Sequence, residues 1–126
     1  MPVGLKVCGI TRPEDMQACV ELGVDAVGLN FWPGSKRFVE LDEARALVEG
    51  LAGAGRPRRI GVFVDAPPAA VTIASIVLRL DAIQVHGEEP PALYARLAAQ
   101  LGIAWVWVIR GTPSLEALAI PEPAPA

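Results

Sequence analysis

The sequence is poor in the residues that build metal centres and disulfide frameworks. It has two cysteines, Cys8 and Cys19, and one histidine, His86, among 126 residues. Two cysteines without an apolar leader of the secretory type predict a reduced, intracellular protein, which we expect in the cytoplasm. Neither cysteine has the spacing of a metal ligand, so no metal site is expected.

Long apolar runs and basic clusters are also scarce. No uncharged stretch is longer than residues 66–78, which are fewer than the roughly 20 apolar residues that span a bilayer, so we expect a soluble protein with no membrane partner. The net charge is -3, and the arginine cluster at residues 56–59 is predicted to end a helix. Nucleic acid is therefore not an expected partner.

Nucleotide-binding motifs are missing as well. Neither G-x-G-x-x-G nor the P-loop pattern follows any predicted strand. With 52% hydrophobic and 20% charged residues, the chain has the composition of globular protein and the length for a core of its own. We expect residues 1–126 to form a single domain.

Short apolar runs alternate along the chain with longer segments of helical period. Strands are predicted near residues 5–10, 26–31, 59–64, 82–85 and 104–109, and helices near 13–22, 41–51, 67–78, 90–102 and 114–118. This alternation is typical of βα repeats and predicts a parallel sheet covered on both faces. Two closures remain open: a doubly wound sheet of five strands, or part of an eight-stranded barrel, which needs at least about 200 residues.

The first predicted helix has clear start signals. Thr11 and Glu14 have the spacing of a capping box. Met16, Cys19 and Val20 recur at helical spacing, so we expect all three to face the core. Cys19 is accordingly interpreted as structural.

Cys8 ends the first apolar run, directly before this helix. In parallel α/β folds the loops at the carboxyl ends of strands hold the chemistry, so Cys8 is a candidate nucleophile or base. The alternative is a small buried apolar side chain. A thiol acts as a base only when ionised, and we expect Lys6 on the other face of its strand, where it would not promote ionisation.

Other polar residues follow the later strands at the same end. The loop at residues 31–39 combines aromatic side chains with Lys36 and Arg37, and a guanidinium beside aromatic surface suits an aromatic carboxylate. The alternative is a solvated charge pair on an ordinary turn. Asp65 and His86 follow the third and fourth strands, although a lone histidine there is also compatible with a structural role.

Five segments carry a family resemblance. They are residues 6–11 (KVCGIT), 28–31 (GLNF), 33–37 (PGSKR), 61–64 (GVFV) and 84–87 (QVHG). In this order and spacing they resemble the phosphoribosylanthranilate isomerases, and the resemblance covers essentially the whole chain. It implies a (β/α)8 TIM barrel and an enzyme of tryptophan biosynthesis. The reaction implied is an Amadori rearrangement of N-(5-phosphoribosyl)anthranilate that uses no metal or organic cofactor.

The resemblance also implies roles for individual residues. Cys8 matches the family's general base, Arg37 matches the residue that holds the anthranilate carboxylate, and Asp65 and His86 join the substrate pocket. The family's general acid, an aspartate after strand six, and its phosphate-binding loops after strands seven and eight have no counterpart here. Loss of an acid catalyst costs about 10²–10⁴ in rate. We therefore expect an amino-terminal part with about five βα units, inactive alone, in which residues 119–126 lead toward strand six.

Two other interpretations of the sequence were considered. A half-barrel could bind ligands or self-associate through strand edges, since the fifth strand has Trp105 and Trp107 on one face and Val106 and Val108 on the other. A flavodoxin-type regulator would need an acidic cluster or a nucleotide loop after the first strand, and residues 8–11 offer neither.

Overall fold

Strands and helices alternate throughout the part of the chain that the computed structural model describes, residues 4–51, 57–88 and 90–108. The strands are β1 (Lys6–Cys8), β2 (Ala26–Asn30), β3 (Arg58–Val64), β4 (Ala82–His86) and β5 (Ala104–Trp107), and the helices are α1 (Pro13–Leu22), α2 (Leu41–Glu49), α3 (Pro68–Leu78) and α4 (Pro91–Leu101). The predicted helix at residues 114–118 and the proline-rich segment 119–126 lie outside the described residues.

The five strands form one parallel sheet in the order β1-β2-β3-β4-β5. One row across the sheet consists of Cys8, Gly28, Ile60, Ala82 and Ala104. Because right-handed crossovers between successive strands all place their helices on the same side, this order is that of a barrel wall. A doubly wound sheet would reverse its strand order partway. Within the described residues the helices therefore share one face of the sheet, and the expected cover on both faces is not found there.

The core lies between the sheet and its helices. Its largest fully buried side chains come from alternate strand positions, from α3 and α4, and from the loop before α2: Val27, Leu29, Ile83, Val85, Val71, Leu78, Tyr94 and Val39. Each such side chain contributes roughly 1.5–3 kcal/mol by leaving water. The opposite face carries Cys8 and Gln84, and Val106 on that face is 49% exposed.

Helix α1 spans residues 13–22 as predicted, but its amino-terminal cap differs from the prediction. The residue before the helix is Arg12, whose side chain makes no capping hydrogen bond, and the helix begins at Pro13. Thr11 therefore lies one position too early for a capping box with Glu14. Met16 and Cys19 are buried as predicted, but Val20 is 39% exposed and does not belong to the core.

The arginine cluster also belongs to a different element from the one predicted. Arg58 and Arg59 begin β3, whereas α2 has already ended at Glu49. The Arg59 Nη1 donates a hydrogen bond of 2.9 Å to the carbonyl oxygen of Leu78, at the end of α3. The cation does meet a helix carboxyl terminus, as its charge favours, but one that comes later in the chain.

Candidate functional site

Cys8 is the last residue of β1, and its thiol is free and exposed. It lies directly over Gly28 of the neighbouring strand, where an added Cβ would come within 2.9 Å of the sulfur. Gly9 follows with a φ of 82° and turns the chain away toward α1. The alternative of a small buried side chain is therefore wrong for Cys8. Its sulfur lies on the face of the sheet that no helix covers in the described residues, which we call the uncovered face.

Lys6 lies on the same face of β1 as Cys8. Its Cε would come within 3.4 Å of a Cβ at Gly28, the same point that the Cys8 sulfur approaches. The prediction that Lys6 occupies the other face was wrong, since residues two apart in a strand point the same way.

Arg37 folds back over the turn that follows Cys8. Its Nη1 donates to the carbonyl oxygen of Gly9 at 3.4 Å, and a Cβ at Gly9 would lie only 3.0 Å from the Arg37 Cγ. The loop is held locally, because Ser35 Oγ accepts the Arg37 amide at 3.0 Å. The structure thus places the Arg37 side chain against Gly9, the residue that follows Cys8.

Asp65 and His86 meet at the ends of β3 and β4. The Asp65 carboxylate accepts the backbone amide of Glu88 at 2.8 Å, and the Asp65 amide donates to the His86 carbonyl oxygen at 3.2 Å. The carboxylate also packs against Gly87, where a Cβ would collide at 2.2 Å. Asp65 therefore fixes the loop after β4, next to His86.

Two clefts open at this end of the sheet. One, of about 440 Å³, is bordered by His86, Trp32 and Trp107. The other, of about 550 Å³, is largely apolar and is lined by Asp65 together with Phe31 and Phe63, whose rings stack with centroids 5.2 Å apart. Although Asp65 and His86 are joined through the backbone, their side chains line different clefts.

Gln84 is a polar member of the uncovered face that sequence reasoning did not single out. Its Nε2 lies 3.2 Å from His86 Nε2, and its Oε1 accepts a hydrogen bond from Lys6 Nζ. The sequence held a signal for it, because Gln84 stands two residues before His86 and so shares its strand face. Its partner on β1 is 78 positions away, which no local pattern reveals.

The charges near α1 act on two neighbouring groups. The pKa of Asp15 lies below its usual range, mainly because Arg12 donates a hydrogen bond to the carboxylate, with a smaller contribution from the charge of Arg37. Burial, helped by the Asp15 charge, raises the pKa of the Cys19 thiol. Cys19 thus stays protonated in the core, and the exposed thiol is Cys8.

The described ranges hold neither a metal-binding cluster nor a membrane-spanning helix. Within residues 4–51, 57–88 and 90–108, no group of three histidine, cysteine, aspartate or glutamate side chains is arranged to hold a metal ion. No helix in the same ranges is long and apolar enough to cross a membrane.

Known proteins share both the sequence and the fold. An isomerase from Halorhodospira halophila is 46% identical over 93 residues, which are 74% of this chain and 44% of that relative. The phosphoribosyl anthranilate isomerase structure from Thermus thermophilus superposes with a TM-score of 0.77 at 35% identity, covering 94% of this chain and 58% of that one. A second such isomerase, solved with reduced 1-(o-carboxyphenylamino)-1-deoxyribulose 5-phosphate, gives a TM-score of 0.75 at 38% identity, covering 84% of this chain and 53% of that one.

The chain spans about half the length of the curated relatives that it matches. The family sequence model for N-(5'-phosphoribosyl)anthranilate isomerase matches residues 5–111, which is most of the chain. Together with the barrel-type strand order, this match shows that the chain belongs to the N-(5'-phosphoribosyl)anthranilate isomerase family.

Proposed function

We propose that this chain supplies the base and the carboxylate-binding residue of a phosphoribosylanthranilate isomerase. The observation that carries the proposal is the placement of Cys8 and Arg37. The Cys8 thiol is exposed at the end of β1, and the Arg37 side chain lies over the next residue, Gly9. A base and a cation for an aromatic carboxylate thus stand side by side at the end of the sheet where such folds place their chemistry.

The proposed reaction needs an acid and a base in turn. The acid protonates the ring oxygen of the aminoaldose, and the ring opens to a Schiff base at C1. The Cys8 thiolate then removes the proton from C2, which gives an enolamine. The enolamine tautomerises to the 1-deoxyribulose product, with a ketone at C2 and an amine at C1. No atom is gained or lost and no cofactor enters.

Arg37 is proposed to bind the anthranilate carboxylate through paired hydrogen bonds from its planar guanidinium. Trp32 in the same loop is 40% exposed and offers aromatic surface nearby. His86 and Asp65 are proposed to complete the pocket, with Asp65 acting mainly through the loop that it holds. The relative solved with the reduced product analogue supports this class of ligand.

The 126 residues alone are proposed not to turn over substrate. The family resemblance assigns the general acid and the phosphate-binding loops to strands six to eight, whereas the described sheet has five strands. The proposed compartment is the cytoplasm, where the two free thiols would stay reduced. Neither nucleic acid nor a membrane is a proposed partner.

The test is an isomerisation assay that follows the fluorescence of the anthranilate group. The chain is assayed alone and with the carboxyl-terminal half of a relative added. We expect turnover only in the mixture, and a loss of about 10²–10⁴ in kcat when Cys8→Ala replaces the wild type. Cys19→Ala is the matched control, since it removes the other thiol and should leave turnover in place.

Two results would count against the proposal. Turnover by the chain alone would show that strands six to eight are not required. Equal turnover of the Cys8→Ala and Cys19→Ala mixtures would remove Cys8 from the role of base.

A self-associating half-barrel is the second candidate function. It is favoured by one observation: β1 and β5 are the outer strands of the described sheet, and Val106 on β5 is 49% exposed. Unpaired edges of this kind invite pairing with another chain. Absence of turnover in every mixture, from proteins that are folded, would favour this function over the isomerase.

A further inference from the structure

We propose that Gln84 is a positioning residue that fixes the tautomer of His86, and that Lys6 in turn fixes Gln84. The inference rests on the proposed function only in taking His86 as part of the substrate pocket. The three side chains form a line across the uncovered face of the sheet, from β1 to the end of β4.

The direction of hydrogen-bond donation along these three side chains follows from the chemistry of Lys6. A lysine ammonium has three donors and no acceptor. Its partner on Gln84 must therefore be the carbonyl oxygen Oε1. The side-chain amide of Gln84 cannot turn over without placing its NH₂ group against the ammonium, so Lys6 sets which end of the amide faces His86.

The end that faces His86 is the NH₂ group, with Nε2 of Gln84 3.2 Å from Nε2 of His86. Because the Gln84 nitrogen is a donor, the imidazole nitrogen opposite it must accept. In a neutral imidazole one nitrogen accepts and the other carries the hydrogen. The proton of His86 is therefore on Nδ1, and a fully protonated ring would oppose the Gln84 NH₂ group with a second donor.

This arrangement gives His86 and Cys8 different roles in the proposed site. The Nε2 lone pair of His86 is already occupied by Gln84, so that nitrogen cannot take the proton from C2 of the substrate. His86 then binds as a neutral ring, and the base remains Cys8. Gln84 itself acts through His86, not on the reacting atoms.

The chain is well suited to a direct test, because it contains a single histidine. Two-bond ¹H–¹⁵N correlation spectra of the ¹⁵N-labelled chain, recorded at an alkaline pH where imidazole is neutral, distinguish the tautomers. We expect the wild type to show hydrogen on Nδ1 and a lone pair on Nε2. A spectrum with hydrogen on Nε2 would overturn the inference without any variant.

Three variants test the parts of the line. Gln84→Glu leaves only acceptors between Lys6 and His86, so we expect the hydrogen to move to Nε2. Gln84→Leu and Lys6→Met each remove the constraint, so we expect both tautomers to be populated. Gln17→Glu, which makes the same chemical change on the exposed face of α1, is the matched control and should leave the spectrum unchanged.

Persistence of the Nδ1 tautomer in a folded Gln84→Glu chain would overturn the role of Gln84. If the leucine variant does not fold, as judged by circular dichroism, the spectra of the wild type and of the isosteric glutamate variant still test the role of Gln84. The spectra need neither substrate nor turnover, so a failure of the isomerase proposal leaves this result intact, and the reverse also holds.

Discussion

At the scale of single residues, the close approach of β1 and β2 depends on the missing side chain of Gly28. A Cβ at this position would lie 2.9 Å from the Cys8 sulfur and 3.3 Å from the Cys8 Cα. The sulfur could rotate away, but the Cα belongs to the backbone of the paired strand and cannot. The position of the thiol and the stability of the sheet edge therefore depend on the same glycine.

Gly28→Ala is expected to lower the free energy of unfolding by about 1–3 kcal/mol, because the added methyl overpacks a paired strand. Urea denaturation measures the change. Gly50→Ala is the control: its Cβ would meet nothing nearer than the Leu47 carbonyl oxygen at 3.6 Å, and its backbone is right-handed helical. That variant should keep its stability or gain up to about 1 kcal/mol. Equal losses in the two variants would contradict the crowding at Cys8.

Part of the site could be predicted from residues one at a time. Cys8, Asp65 and His86 each follow an apolar run, and parallel strands bring such ends together. The contact between Lys6 and Gln84 could not be predicted, because it joins residues 78 positions apart across the uncovered face. The side on which Lys6 lies was available from the two-residue period of a strand, and that prediction failed through the wrong face assignment.

At the scale of elements, α3 shows where hydrophobic pattern stops being informative. Its sequence, PAAVTIASIVL, is apolar almost throughout, so it has no contrast that marks one face as buried. The structure buries Val71, Ala74, Ser75 and Leu78 and leaves Ile73, Ile76 and Val77 exposed. The helix itself was predictable from its paired prolines and length, whereas its orientation required the sheet beneath it.

A pair of substitutions tests that orientation. Leu78 is fully buried and Ile76 is 64% exposed. Leu78→Ala is expected to reduce the free energy of unfolding by about 2–5 kcal/mol, because it leaves a cavity. Ile76→Ala is expected to change it by no more than about 0.5 kcal/mol. Urea denaturation measures the free energy of unfolding of both variants. A larger loss for Ile76→Ala than for Leu78→Ala would mean that α3 packs through its other face.

At the scale of the whole molecule, the pattern of strands and helices left the closure of the sheet undecided, and the family resemblance predicted a barrel, which is confirmed. Five βα units suit either an open sheet or part of a barrel, and local patterns do not encode the order of strands. The observed order β1 to β5 without reversal is that of a barrel wall, and the related solved structures agree. One consequence is that Val106 and its neighbours occupy a face without helices in the described part of the chain.

That uncovered face and the β5 edge make a specific prediction about association. If copies of the chain pair through β5, Val106→Lys should weaken the association at least tenfold, because a charge on an edge strand opposes pairing. Sedimentation velocity over a range of concentrations measures the effect. Ile76→Lys places the same charge on the exposed face of α3 and serves as the control. A wild type that stays monomeric at high concentration would exclude edge pairing, and dissociation by the Ile76→Lys substitution alone would assign the contact to α3 instead.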